Sequence, residues 1–482
     1  MIGAWAILSA PQNSGNTAHQ ANQGQGGPPE ATPRQGRSAS AASTAGISSS
    51  RLSSMACHFE GWRSTARRQT DSGLATPAGE NPPMNPADGD TAAQITWTDD
   101  DKVLQRSRWR SLAGHPPPAR VVLADDTMSA DTAYRLADSG AGLLWRGDYQ
   151  NARHLLQALA RRVDAHGAPG GAVAGKGRST SPSASPTPPA TLTEAFHAQR
   201  RLQALRARIG GALLLPFDAD HGLPLRRAPD VREAGLQAHG PADGPYVQSL
   251  RELLGLVGAA EWRKTGVPIA ALKDSIHPHH GVFSPVRSEY VDLVARTKLP
   301  AAAKPARAVD VGTGTGVLAA VLARRGLWVT ATDLSSAALA CAADNLARLG
   351  VAERVTLQQC DLFPKGRAGL LVCNPPWVPA LPSSPLEAAV YDPDSRMLRG
   401  YLAGLKAHLA PGGEGWLILS DLAEHLGLRS RDELLGWVAA GGLQVLGRVD
   451  AKPVHRKAGD ADDPLHAARA AEVTSLWRLG AA

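Results

Sequence analysis

From about residue 305 the chain repeats one pattern: a short apolar run, a turn, then a longer stretch whose apolar residues recur at helical spacing. The segments ARAVDVGTGTGVLAAVLARRG, WVTATDLSSAALACAADNLARLG, RVTLQQCDLF, AGLLVCNPPW and GGEGWLILSD succeed one another in this way. Strands separated by helical crossovers pair in parallel, and the helices cover the faces of the sheet they form. In such sheets ligands are met outside the carboxyl ends of the strands. The residues at those ends therefore carry the functional reading.

Three of these ends are distinctive. Gly312, Gly314 and Gly316 follow the strand AVDV directly and open the next helix, where glycine lets the backbone approach a ligand and frees helix N-terminal amides. The second strand ends in Asp333, about 20 residues beyond Gly312, the separation at which an acid reaches ribose hydroxyls in a nucleotide-binding unit. This pair points to an adenosine-containing cofactor. The loop reads G-T-G-T-G-V, so its third glycine comes one position earlier than in the dinucleotide fingerprint, and the tighter loop suits a ligand without a pyrophosphate. Asp310, just before the loop, is placed to meet a cationic amino group. The fourth strand ends in Asn374, Pro375, Pro376 and Trp377: two prolines stiffen the turn and remove two donors, leaving oxygens to accept and an indole beside them.

VDVGTGTG, ATDLS, CDLF and NPPW, in this order, resemble the class I S-adenosylmethionine-dependent methyltransferases over residues 277–482. The resemblance implies an α/β, Rossmann-like domain with a seven-stranded, mostly parallel sheet and helices on both faces, closed by LQVLGRVDA and EVTSLWRLG as an antiparallel hairpin at the edge. It implies S-adenosyl-L-methionine as cofactor. Asp310, Gly312, Thr313, Gly314 and Gly316 would face its methionine part, Asp333 and Leu334 its ribose, and Asp361 with Leu362 its adenine, with Asn374 adjoining. Asn374, Pro375, Pro376 and Trp377 would be the catalytic turn. In relatives with this motif the target is a planar nitrogen, an amide or exocyclic amino group. The Asn374 oxygen and the Pro375 carbonyl would each accept one of its N–H bonds, and Trp377 would offer a flat face.

GVFSPVRSEYVDLVA, at 281–295, is similar to the segment before the glycine loop of release-factor glutamine methyltransferases, as is the stretch LEAAVYDPDSRMLRGYLAGLKAHLAPGGEGWLIL after the turn. Phe283, Pro285, Arg287 and Glu289 are the matching positions and would line the entrance over cofactor and substrate. The chain has Trp377 where that family has Tyr, and Val286 interrupts its Pro-Arg-Pro run. Small-domain ribosomal RNA methyltransferases share the Asn-Pro-Pro-aromatic motif. The expected partner is therefore a macromolecule, with protein glutamine and an RNA base both open. A small-molecule methyltransferase and a non-catalytic binding or assembly protein are the alternatives.

The remainder of the 482 residues divides by composition. Residues 1–92 lack helical or strand periodicity and read as a disordered low-complexity segment, with Met55 and Met84 as alternative starts. An accessory α/β region is expected over 93–165, a Gly/Ser/Pro linker over 166–190, and a helical accessory region over 191–276, so the accessory part as a whole is expected to be mainly helical. TLTEAFHAQRRLQALRARIGGALLLPF and YVQSLRELLGLVGAAEWRKTG each read as one helix. The net charge of +7 is concentrated as Arg in this middle region, which without interleaved aromatics reads as a solvated face. His277, His279 and His280 lack a further ligand at structured spacing, so no metal is expected. The four cysteines stand singly and no apolar run approaches a membrane span, so no membrane and a reducing, cytoplasmic setting are expected.

Overall fold

A computed structural model describes residues 93–167, 191–241, 243–303, 307–383, 385–452 and 459–482. The expectations for residues 1–92, including Met55, Met84 and Cys57, and for nearly all of the 166–190 linker lie outside the described residues.

The first sheet is built from β1 (Gln94–Thr98), β2 (Leu104–Trp109), β3 (Arg120–Ala124), β4 (Ala141–Trp145), β5 (Leu213–Phe217) and β6 (Tyr246–Ser249), in the order β1-β2-β6-β5-β4-β3. Its helices are α1 (Ala130–Asp138), α2 (Tyr149–Gly167), α3 (Leu192–Gly211), α4 (Arg232–His239) and α5 (Leu250–Thr265). Ser129 caps α1 by accepting from the Thr132 amide, as a Ser ahead of a helical run is expected to do. The expectation of a mainly helical region needs correcting on one point: helices predominate, but they are organised by a sheet. LLLPF is not the end of α3. Gly210 and Gly211 stop the helix, and the run becomes β5, buried between β4 and β6. YVQS likewise forms β6 before Ser249 caps α5. Short apolar runs buried on both faces carry no periodicity, so pattern alone does not separate them from helix. β4 and β5 pair in parallel across residues 168–190, so strands on either side of that segment share one sheet.

A short pair, β7 (Val267–Ile269) and β8 (Asp274–Ile276), leads to the second sheet. This sheet comprises β9 (Arg307–Val311), β10 (Trp328–Asp333), β11 (Val355–Gln359), β12 (Ala368–Cys373), β13 (Leu409–Ser420), β14 (Leu443–Ala451) and β15 (Thr474–Ala481). The order is β11-β10-β9-β12-β13-β15-β14; the first five strands are parallel, and β15 is antiparallel to both of its neighbours. One face is covered by α6 (Glu289–Arg296), α7 (Val317–Arg324) and α8 (Ser336–Arg348), and the other by α9 (Arg396–His408) and α11 (Arg431–Ala440). The short helices α10 (Leu422–His425) and α12 (His466–Ala471) pack beside the sheet.

β12 lies in the middle of the sheet and every one of its residues is buried, with Leu370 and Val372 facing one core and Leu371 and Cys373 the other. At about 1.5–3 kcal/mol for each large apolar side chain, this strand is a rigid base for the turn that follows it. Among the described residues no helix is long and apolar enough to cross a membrane. No group of three His, Cys, Asp or Glu side chains among them is arranged to hold a metal ion.

Candidate active site

Strand register brings the three distinctive ends together. Val311 on β9 is paired with Thr332 on β10 and with Cys373 on β12. Gly312, Asp333 and Asn374 therefore each stand one residue beyond the same rung of the sheet. The order β10-β9-β12 also makes β9 the point at which the chain's strand order reverses, where a parallel sheet opens a crevice.

The glycine loop is held from below and from the side. Gly312, Gly314 and Gly316 have φ of +73°, +53° and +80°, a region that side-chain-bearing residues seldom enter. The Gly312 and Thr313 amides donate to the Thr332 carbonyl, and the Gly314 amide donates to Asp333 Oδ2 at 2.9 Å. A Cβ on Gly314 would meet nothing within 4 Å, whereas one on Gly312 would strike the Met397 methyl and one on Gly316 would press on Ala342. The loop is thus packed on its flanks and open at its crest, as a backbone cradle for a ligand requires.

Asp310 is only 1% exposed and lies beneath this loop. Its Oδ2 accepts from the Thr313 hydroxyl at 2.7 Å and from the Ala319 amide at 3.0 Å, a first-turn amide of α7 with no partner within the helix. Burial pushes its carboxyl up to about 6, against the hydrogen bonds that lower it. Asp333 is half-buried, and its Oδ1 caps the next turn through the Ser335 amide. Leu334 is 65% exposed beside it. Asp361 is exposed, 3.8 Å from the Arg396 guanidinium, while Leu362 takes a φ of +62° and packs against the core under α9. The Cys360 amide bonded to the Asp333 carbonyl brings the Asp361 turn alongside Leu334.

At the end of β12, Asn374 is half-buried and Pro375 buried. The indole N–H of Trp377 donates to Asn374 Oδ1 at 2.9 Å, which fixes which way the amide points and leaves that oxygen one further lone pair. Trp377 is in turn held by groups far away in sequence. The Arg287 guanidinium lies 4.9 Å from its ring centre, Tyr290 meets it edge-on at 6.5 Å, and Arg429 Nη1 donates to its carbonyl at 3.4 Å.

The four residues expected at the entrance are divided by the structure. Phe283 is half-buried, whereas Pro285 and Arg287 are buried. Arg287 donates to Glu289 at 2.8 Å and to Glu472 at 2.9 Å, and Glu472 also accepts from the Ser420 hydroxyl at 2.6 Å. Arg287 and Glu472 thus form a buried ionic support behind the indole, with half-buried Glu289 beside them. His277 and His279 bond to the Arg263 carbonyl and to Asp344, and Cys341 and Cys373 are buried free thiols.

Some contributors lie outside the motifs singled out in the sequence. Asp392 accepts from the Met397 and Leu398 amides and so seats the first turn of α9, which carries Met397 to Gly312. An Asp followed by Pro ahead of a helical run is a start signal that would have found it. Arg200 on α3 lies 4.1 Å from the Tyr391 ring centre and pairs with Glu387 at 3.1 Å, and Thr193 donates to the Leu426 carbonyl. The accessory region therefore reaches the loop that follows the Asn-Pro-Pro-Trp turn. No spacing rule pairs positions so far apart.

Residues 273–426 match the family model of the methyltransferase small domain. The release factor glutamine methyltransferase of Cereibacter sphaeroides is 42% identical over 114 residues, covering 23% of this chain and 37% of that protein. The enzyme of the same name from Gloeobacter violaceus is 31% identical over 174 residues, covering 33% and 58%. The ribosomal RNA small subunit methyltransferase C of Alcanivorax borkumensis is 32% identical over 120 residues, covering 24% and 32%. The chain thus spans less than two thirds of the length of each of these relatives. Over residues 273–426 the chain is thus similar to the methyltransferase small domain, a family that uses S-adenosylmethionine.

Proposed function

We propose that this chain is an S-adenosylmethionine-dependent N-methyltransferase that acts on a planar amide or amino nitrogen of a macromolecule. The observation that carries the reading is the common rung beneath Gly312, Asp333 and Asn374, which puts a nucleotide-type cradle next to an acceptor-rich turn.

The open crest at Gly314 and the carboxylate of Asp333, which no cation pairs among the described residues, fit an adenosine ligand with a charged amino acid arm. Bound there, S-adenosylmethionine supplies an electrophilic methyl group. Asp333 accepts from the ribose hydroxyls, and exposed Leu334 gives the base an apolar neighbour. A planar nitrogen is a poor nucleophile because its lone pair is delocalised. Asn374 Oδ1 and the Pro375 carbonyl each accept one N–H of the target, orient the nitrogen and stabilise the positive charge that develops on it. Asn374 cannot act as a strong base, so the proton leaves to water after transfer. The Trp377–Asn374 bond holds the acceptor in place before substrate arrives, Arg287 packs on the indole, and Arg429 holds the Trp377 carbonyl.

The names of the relatives, two for protein glutamine and one for ribosomal RNA, support a macromolecular target. The contact of α3 with the 381–391 loop supports a substrate-selecting role for the accessory region. The test is transfer of radiolabelled methyl from S-adenosylmethionine to an extract of cells lacking the protein, followed by parallel nuclease and protease digestion. Label in macromolecules is expected. Label lost to nuclease assigns an RNA base, label lost only to protease assigns a protein amide, and no transfer to either overturns the reading.

A further inference from the structure

A cavity of about 430 Å³ opens at the other end of the second sheet, among the first residues of β9 and β10 and the loop entering β12. Arg307, Arg354, Lys365, Arg367 and His408 line it, and no carboxylate does. Among the described residues none of the three arginines or Lys365 is ion-paired. Arginines of the accessory region behave differently: Arg206, Arg208, Arg226, Arg227 and Arg232 each face an Asp. In the middle of the cationic ring stands Trp328, 55% exposed, with the Arg354 guanidinium 5.4 Å from its ring centre.

Topology explains why this surface is bare. The described connection between β11 and β12, residues 360–367, contains no helix, so the face of the sheet carrying Trp328, Thr330 and Thr356 is left uncovered where α9 ends. An uncovered sheet face would ordinarily be made polar and charge-balanced. Here it presents like charges that repel one another around a large aromatic group, an arrangement that suits a polyanion carrying flat apolar rings. An acidic peptide without aromatic side chains would satisfy the cations but not the indole.

We propose that this cavity binds single-stranded nucleic acid, with phosphates on Arg307, Arg354, Lys365 and Arg367 and a base stacked on Trp328. It lies the length of β9, roughly 16 Å, from the Asn374 turn, so it grips a part of the partner other than the one presented for methyl transfer. The proposal goes beyond the methyltransferase reading and does not depend on it.

The experiment is fluorescence anisotropy of a labelled 12-nucleotide oligouridylate with the full chain, across a salt series. Trp328→Ala should weaken binding about tenfold. The triple change Arg307→Gln, Arg354→Gln, Arg367→Gln should lower the slope of log Kd against log salt by about 2. The circular-dichroism spectrum and cooperative thermal unfolding should be retained in both variants, which reports that the domain remains folded. The proposal is overturned if the wild-type chain does not bind the oligomer, or if neither variant alters affinity or slope. It is equally overturned if an oligoglutamate of equal charge binds as tightly, which would make the surface a protein-docking one, or if uridine monophosphate binds as well as the oligomer, which would make it a small-ligand pocket.

Discussion

Among the described residues the two large sheets both carry acids at or just beyond the ends of parallel strands. In the first, Asp126 follows β3 and Asp148 follows β4. Asp126 accepts from the Asp148 amide, from Asn151 and from Arg226, and Asp148 accepts from the Gln150 amide and from Arg227. A Cβ on Gly147 would strike the Asp126 carboxylate. These two carboxylates are thus satisfied by the sheet's own loops and arginines. In the second sheet Asp310 and Asp333 are paired with no cation among the described residues, and the loop between them is open over Gly314. Acids near the ends of parallel strands offer a ligand site only where their charge is left unspent and the backbone beside them is open.

The comparison can be broken at several points, and the largest effect is expected behind the indole. Arg287→Ala removes a buried cation from Glu472 and Glu289 and should cost about 3–5 kcal/mol in urea unfolding. A loss below 1 kcal/mol would show that the second sheet's support is no more buried in its energetics than the first sheet's exposed pairs. Asn374→Ala should next lower methyl transfer by about 10²–10³-fold while calorimetry shows cofactor binding intact; undiminished turnover would remove Asn374 from the mechanism.

The two sheets should also differ in the sign of their pH dependence. Burial holds Asp310 at about 6 against an ordinary 3.8, so between those values the folded chain keeps a proton that the unfolded chain has released. Ionised Asp310 therefore subtracts stability above about pH 6 and subtracts none below about pH 4, a swing of roughly 3 kcal/mol. Asp310→Asn should gain on the wild type as pH rises through this window, and a constant difference would refute the assignment. Hydrogen bonds from the Asp148 amide and Asn151 lower Asp126 instead, so its contribution is present above pH 4 and lost on further acidification. Last, Asp333→Ala should weaken cofactor binding about ten- to a hundredfold, the loss of one or two charged hydrogen bonds. Asp126→Ala should leave cofactor binding unchanged and lower only the unfolding midpoint. Equal effects of the two on cofactor binding would erase the distinction between the sheets.

How much of this was legible depended on range. The second sheet was readable because each of its signals is local: a strand, a glycine loop, an acid at fixed distance, an Asn-Pro-Pro-Trp turn. The first sheet was hidden because LLLPF and YVQS abut helices and, buried on both faces, show no alternation. Arg287 was singled out by resemblance and placed at the entrance. The structure instead turns it inward to Glu472, a partner 185 positions away. Asp310, expected to meet a ligand's amino group, has Thr313 and Ala319 as its observed partners, a cap that its position before a helix-opening loop also permits.

By itself the sequence determined the parallel strand–helix repeat, the rigid turn after β12 and the residues at each strand end, because hydrophobic period, proline and glycine act within a few positions. Only the tertiary structure decided which acids stay open, what holds Trp377, and where unpaired arginines gather around Trp328. Those outcomes depend on which distant side chain arrives to share or consume a charge, and burial and electrostatics are properties of neighbours in space rather than in order.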